Sequence, residues 1–130
     1  MRVIIAGSRE FNDYVLLKEE CLKIFRQLKS EGYNTDRSVV EIISGAARGA
    51  DIIGEQFSNV YRLPLKRFKA DWDCWGKSAG YRRNEQMALY AKEDQEIGVL
   101  IAFHNGVSKG TKHMIDLANK HGLRVFVVNF

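Results

Sequence analysis

The chain has 130 residues, enough for one domain that buries a core without disulfide staples. With 45% hydrophobic residues, 28% charged residues, one proline and no low-complexity tract, it excludes a disordered, collagenous or membrane-spanning class. A net charge of +4 favours anionic partners, but the lysines and arginines are spread along the chain rather than gathered in a basic block.

In chain order, Arg2 to Ala6 is a short apolar, β-branched run that leaves through Gly7-Ser8-Arg9, as a buried strand does. It is far too short for a signal peptide, so the cytoplasm is the expected location. Asn12 or Asp13 can cap the next helix. From Tyr14 to Leu28, apolar residues including Leu17, Cys21, Ile24 and Leu28 recur at helical spacing, and Gly32 is its expected left-handed end. A second strand is expected over Val39 to Ile43, emptying into Ser44-Gly45-Ala46-Ala47-Arg48-Gly49-Ala50-Asp51, then a helix from about Ala50 to Val60. A third strand opens at Leu63 and reaches about Phe68. The segment from Ala70 to Lys77 reads as an aromatic-rich loop. Ala79 to Lys92 is helical, with Met87 and Leu89 to Ala91 expected in the core. Gly98 to Phe103 is the most continuous apolar strand. A loop to Thr111, a helix over Lys112 to His121 with Thr111 as one reading of its N-cap, and a strand over Arg124 to Phe130 complete the chain.

Near alternation of strands and helices, with strands that read as unbroken apolar runs, predicts a Rossmann-like, doubly wound and mostly parallel α/β sheet flanked by helices. It spans residues 1–130 as a single domain, without linker or repeat. Ligands of such sheets bind outside the carboxyl ends of the strands. Four unusual segments reach that edge: Gly7-Ser8-Arg9, Ser44 to Asp51, Asp71 to Asn84, and Asn105 to Thr111. In the second, small residues let a ligand approach the backbone. The helix after it offers free N–H groups to phosphate, and Arg48 offers bidentate hydrogen bonds. In the last, Gly110 and Thr111 suit a second phosphate or a ribose if Thr111 is not simply a cap.

Arg9 is placed to face the same crevice, whereas Phe11 fits core packing. Asp71, Trp72 and Lys77 belong to a segment whose two tryptophans fit a stack on a planar base, a cap over the core, or a subunit interface. Arg82 and Arg83 stand in the first turn of a helix, where cations oppose the helix dipole. Arg83 and Asn84 are therefore candidates to grip an anion or a sugar. His104 sits at a strand end in the same region; His121 fits a helix C-terminus. The histidines and the two cysteines have no metal-ligand spacing, and the reading calls for no metal and no cofactor.

At these four segments the sequence resembles the SLOG superfamily of Rossmann-like domains. That superfamily includes the DNA-processing protein DprA and the LOG nucleotide phosphoribohydrolases. The nearest pattern is the small YspA/YpsA-related branch of bacteria and phages. It has Gly-Ser-Arg-x-Phe, Ser-Gly-x-Ala-x-Gly-Ala-Asp, Ala-Asp-Trp…Gly-Lys-x-Ala-Gly-x-x-Arg-Asn-x-x-Met, and Gly-x-x-x-Gly-Thr before a helix. Here these are Gly7 to Phe11, Ser44 to Asp51, Ala70 to Met87 and Gly106 to Thr111.

The resemblance implies a nucleotide or a nucleotide-derived, ADP-ribose-like ligand, and a homo-oligomer. It argues against LOG-type hydrolysis. The LOG motif Gly-Gly-x-Gly-Thr-x-x-Glu carries a catalytic glutamate where this chain has Met114, and Asp116 is out of register. The expectation is a binding protein, a sensor or a sequestering protein. The alternatives are a hydrolase of nucleotide N-glycosidic or phosphate bonds, with Asp51 and Asp71 as candidate acids, and single-stranded nucleic-acid binding.

Overall fold

The structure is a computed structural model that describes residues 1–93 and 95–130. Its elements are β1 (Arg2–Gly7), α1 (Tyr14–Ser30), β2 (Glu41–Ser44), α2 (Ala50–Val60), β3 (Leu65–Arg67), α3 (Trp72–Trp75), a 3-10 turn (Gly76–Ser78), α4 (Ala79–Lys92), β4 (Gly98–His104), α5 (Lys109–Lys120) and β5 (Arg124–Asn129). The five strands form one parallel sheet in the order β3-β2-β1-β4-β5. This is the Rossmann-like α/β arrangement expected from the alternation. Because the order reverses at β1, a crevice opens between the carboxyl ends of β1 and β4.

Side chains alternate across the sheet and build two cores. On one face Val3, Ile5, Ile42, Val99 and Ile101 pack with Leu17, Cys21 and Leu28 of α1 and Phe57 of α2. On the other, Ile4, Ala6, Ile43, Leu100 and Ala102 pack with Met87, Ala88 and Ala91 of α4 and Met114 and Ala118 of α5. Each fully buried aliphatic chain contributes roughly 1.5–3 kcal/mol. No helix among the described residues is long and apolar enough to cross a membrane.

Local rules explain most element ends. The Asp13 carboxylate accepts from the Leu16 N–H at 3.0 Å and starts α1. Gly32, at φ 100°, ends it with Gly32 N–H donating to Lys29 O and Tyr33 N–H to Leu28 O. Several expectations need correction. β2 is Glu41–Ser44 rather than Val39 to Ile43, because Val39 and Val40 are held in a turn by the carbonyl of Asp36. β3 begins at Leu65, two residues after Leu63. The stretch read as a loop holds the one-turn helix α3, capped by the Asp71 carboxylate on Cys74 N–H at 3.0 Å. α5 starts at Lys109, not Lys112. Its N-cap is Ser108, whose Oγ accepts from Thr111 N–H at 3.3 Å, so Thr111 is inside the helix. Leu89, expected in the core, is 50% exposed on the outer face of α4.

Candidate functional site

The loops after β1, β2 and β4 meet the first turns of α4 and α5 at the carboxyl edge. Together they enclose a cavity of about 430 Å³. Its polar wall includes Ser8, Arg9, Arg48, Asp51, Arg83, Asn84, Asn105, Ser108 and Thr111, over a floor that includes Ala6, Met87 and Met114. A smaller cavity of about 290 Å³ adjoins it, bounded by Gly45, Ala46, Lys69, Ala70 and Trp72. Arg9, Ala47, Arg48 and Arg83 line both and form the partition.

Close approaches at two glycines shape the partition. Gly49, at φ 83°, lies against the carbonyl of Ser8, where a Cβ would collide with the backbone of Ser8 and Arg9. Ala50 N–H, the first of α2, donates to that same Ser8 carbonyl at 3.2 Å. The Asp51 carboxylate folds back onto Ala47 N–H at 3.2 Å. The N–H groups of Ala47 and Ala50 are therefore already engaged. Gly45 lies between buried Asp51 and half-buried Arg83, which are not at ion-pair distance: a Cβ on it would lie 2.7 Å from Asp51 Oδ2 and 2.9 Å from Arg83 Nη1. Ala46 holds a left-handed φ of 60°, with its N–H donating to Ser44 Oγ at 3.0 Å.

Arg83 reaches out of α4 across this loop. Nη1 donates to Gly45 O at 2.5 Å and Nε to Asn84 Oδ1 at 3.0 Å. Asn84 in turn donates to Gly110 O at 3.4 Å and meets His113 Nδ1 at 3.2 Å. One side-chain chain thus ties the β2–α2 loop to α4 and α5. Burial lowers the pKa of His113, which leaves Nδ1 an acceptor for Asn84 at neutral pH. Across the crevice, Asn105 Nδ2 donates to Ser8 Oγ at 3.2 Å, while its Oδ1 accepts from Val107 N–H and Ser108 N–H. This fixes the start of α5 beside β1. Gly110 is open, with nothing within 4 Å of where a Cβ would stand.

Burial shifts both groups that flank Gly45 toward their neutral forms. Burial is the main cause that pushes Asp51 up to about 6; Arg83 and the Ala47 N–H pull it down, and Glu55 pushes it up. Burial likewise lowers Arg83, opposed by Asp51. Glu55 is itself engaged, accepting from Ser44 Oγ at 2.6 Å and pairing with Arg67 at 3.1 Å.

Of the residues singled out from the sequence, Gly7, Ser8, Arg9, Arg48, Asp51, Arg83, Asn84, Gly110 and Thr111 line the larger cavity. Gly45, Ala46 and Trp72 line the smaller one. Ser44 and Gly49 stand behind the partition and shape it. Asp71 caps α3 and Lys77 is exposed; both lie outside the two cavities, as does His104. Trp72 and Trp75 are each 49% exposed, so neither caps the core. The sequence reading passed over Lys69, Asn105 as the clasp, and Ser108 as the true cap. An Asn-Gly pair straight after a strand was the available signal for Asn105.

These geometric relations can be set beside known proteins. The YspA, cpYpsA-related SLOG family matches residues 1–75, which contain β1, the β2–α2 loop and α3. The Gene 61 protein of Mycobacterium phage D29 is 31% identical over 134 residues, covering 99% of this chain and 95% of the phage protein. No solved structure matches the chain. With a family match over more than half its length and a phage relative along nearly all of it, this chain belongs to the YspA, cpYpsA-related SLOG family.

Proposed function

We propose that this domain binds a small phosphate-bearing, nucleotide-like ligand in the crevice at the carboxyl edge of its sheet, as a sensor or a sequestering protein. The convergence of Arg9, Arg48 and Arg83 on the partition shared by two cavities carries this reading. Arg83 is partly withdrawn from water and faces no carboxylate at ion-pair distance among the described residues. A desolvated guanidinium in that state favours a doubly charged oxyanion that accepts its planar donors. The open start of α5 at Gly110 adds backbone dipole in the same direction. Asn84, Asn105 and Ser108 supply the mixed donors and acceptors that sugar hydroxyls and base edges require.

The test is a thermal-shift screen against nucleoside phosphates, ADP-ribose derivatives and cyclic dinucleotides, since a ligand of the folded state raises its apparent stability. A shift that Arg48→Ala removes supports the reading. A screen without any shift would sink it.

A second reading, hydrolysis of an N-glycosidic or phosphate bond, is favoured by one observation. Asp51 is a buried carboxyl in the cavity wall, and its pKa of about 6 suits proton transfer near neutral pH. Incubation with nucleoside monophosphates and ADP-ribose decides it. Release of base or ribose above blank, lost in Asp51→Asn, favours an enzyme; no release leaves a binder.

A further inference from the structure

The two cavities differ in charge. The larger has Arg9, Arg48 and Arg83 but also Glu10 and Asp51 in its wall. The smaller has Arg9, Arg48, Lys69 and Arg83, and its lining contains no carboxylate. None of these four cations makes an ion pair among the described residues, whereas Arg67, two residues before Lys69, is paired to Glu55 at 3.1 Å. Arg9 and Arg83 still feel the Asp51 carboxylate of the larger cavity, but among the described residues no carboxylate lines this 290 Å³ space to balance its four cations.

The geometry of Arg83 points the same way. Nη1 and Nε are spent on Gly45 O and Asn84 Oδ1. Nη2 lies on the Trp72 side: a Cβ on Gly80 would stand 3.8 Å from it and 3.3 Å from the Trp72 ring. Nη2 thus stands near the Trp72 wall of the smaller cavity, which Arg83 itself lines. The loop that backs it cannot answer an anion at two of its N–H groups, because Ala46 and Ala47 give theirs to Ser44 and Asp51. Recognition here falls to side-chain cations and not to a backbone nest.

We propose that the smaller cavity is a second anion subsite, and that the ligand of this domain therefore carries a diphosphate or longer phosphate chain across the arginine partition, with its sugar and base in the larger cavity. This rests on the ligand reading above and narrows it. Lys69 is the residue that only the second phosphate would meet, since Arg9, Arg48 and Arg83 serve both sides.

The experiment is isothermal titration of AMP and ADP in magnesium-free buffer at fixed salt, with the unaltered protein, Lys69→Ala and Lys66→Ala. Lys66 lies on β3 outside both cavities and controls for a general loss of positive charge. The expected result is ADP binding about tenfold tighter than AMP, the scale of one added charge-assisted contact. Lys69→Ala should collapse that ratio and Lys66→Ala should preserve it. Equal affinity for AMP and ADP, or an equal fall of the ratio in both variants, overturns the second subsite while leaving a one-phosphate ligand in place. Absence of binding by both nucleotides overturns the subsite and the ligand reading together.

Discussion

Asp51 shows how a single carboxyl ties the site to the stability of the fold. Its folded pKa of about 6 stands above the ordinary 3.8, so the folded chain holds this proton more tightly than the unfolded chain does. That contribution is complete below pH 3.8 and is lost as pH rises through 6. The full difference corresponds to about 3 kcal/mol, from 1.36 kcal/mol per pKa unit. Asp51→Asn cannot titrate. Denaturation of both proteins between pH 4 and 8 should show the unaltered chain losing ground to the variant as pH rises; parallel profiles would mean that Asp51 titrates normally. Ala46 is a second point of tension. A left-handed residue with a Cβ costs about 1–2 kcal/mol, partly offset by the entropy that glycine adds to the unfolded state. Ala46→Gly should therefore raise the melting temperature slightly, and a fall would show that the Cβ packs usefully. The sequence showed this loop as rich in small residues. It did not show which positions are strained, because that depends on where Arg83 arrives from α4.

At the scale of elements, helix position is set by close contact with the sheet. A Cβ on Gly54 of α2 would stand 2.7 Å from Ile5 Cγ2, so Gly54→Ala must lift α2 off β1. Overpacking of this kind costs about 1–3 kcal/mol, measurable by urea denaturation. An unchanged midpoint would mean that the helix has room. Ser108→Ala removes the cap of α5 and should cost about 1 kcal/mol. It should also loosen the cavity wall, lowering affinity for any ligand the screen finds. The helices α1, α2 and α4 were legible because their apolar spacing is long and regular. The short pieces were not. α3 is a single turn, too brief for a periodic signal, and β3 is three exposed residues at the sheet edge. The start of α5 was expected at Lys112, with Thr111 as one reading of its cap, and Ser108 was missed although both residue types cap helices. The hydrogen bond from Thr111 N–H to Ser108 Oγ, at 3.3 Å, makes Ser108 the cap.

For the whole molecule, parallel topology explains why so much of the site could be read from four scattered segments. In a parallel sheet every strand ends at the same edge, so the segments after β1, β2 and β4 must meet if the strand order is 3-2-1-4-5. Arg9, Arg48, Arg83 and Thr111 converge for that reason. What topology cannot supply is which isolated polar residue turns inward. Lys69 and Lys77 look alike in the sequence, yet one lines a cavity and the other is exposed. The chain of hydrogen bonds from Gly45 through Arg83 and Asn84 to Gly110 also joins the β2–α2 loop to α4 and α5, two helices on one face of the sheet. Arg83→Leu, which keeps bulk but removes these donors, should abolish ligand binding and speed hydrogen exchange in both the β2–α2 loop and the first turn of α5. Faster exchange in one alone would show that the two ends are independent.

The position of β1 has a consequence for synthesis on the ribosome. The first strand to emerge is the middle of the finished sheet, paired on one side with β2 and on the other with β4. Once β2 and β3 have joined it, a nascent chain would still present Val3, Ile4 and Ile5 along a bare strand edge until Gly98–His104 leaves the exit tunnel. An apolar, unpaired edge is a template for joining other chains. Chains arrested between β3 and β4 should thus be captured by chaperones or by one another, and release of the completed β4 should end that exposure.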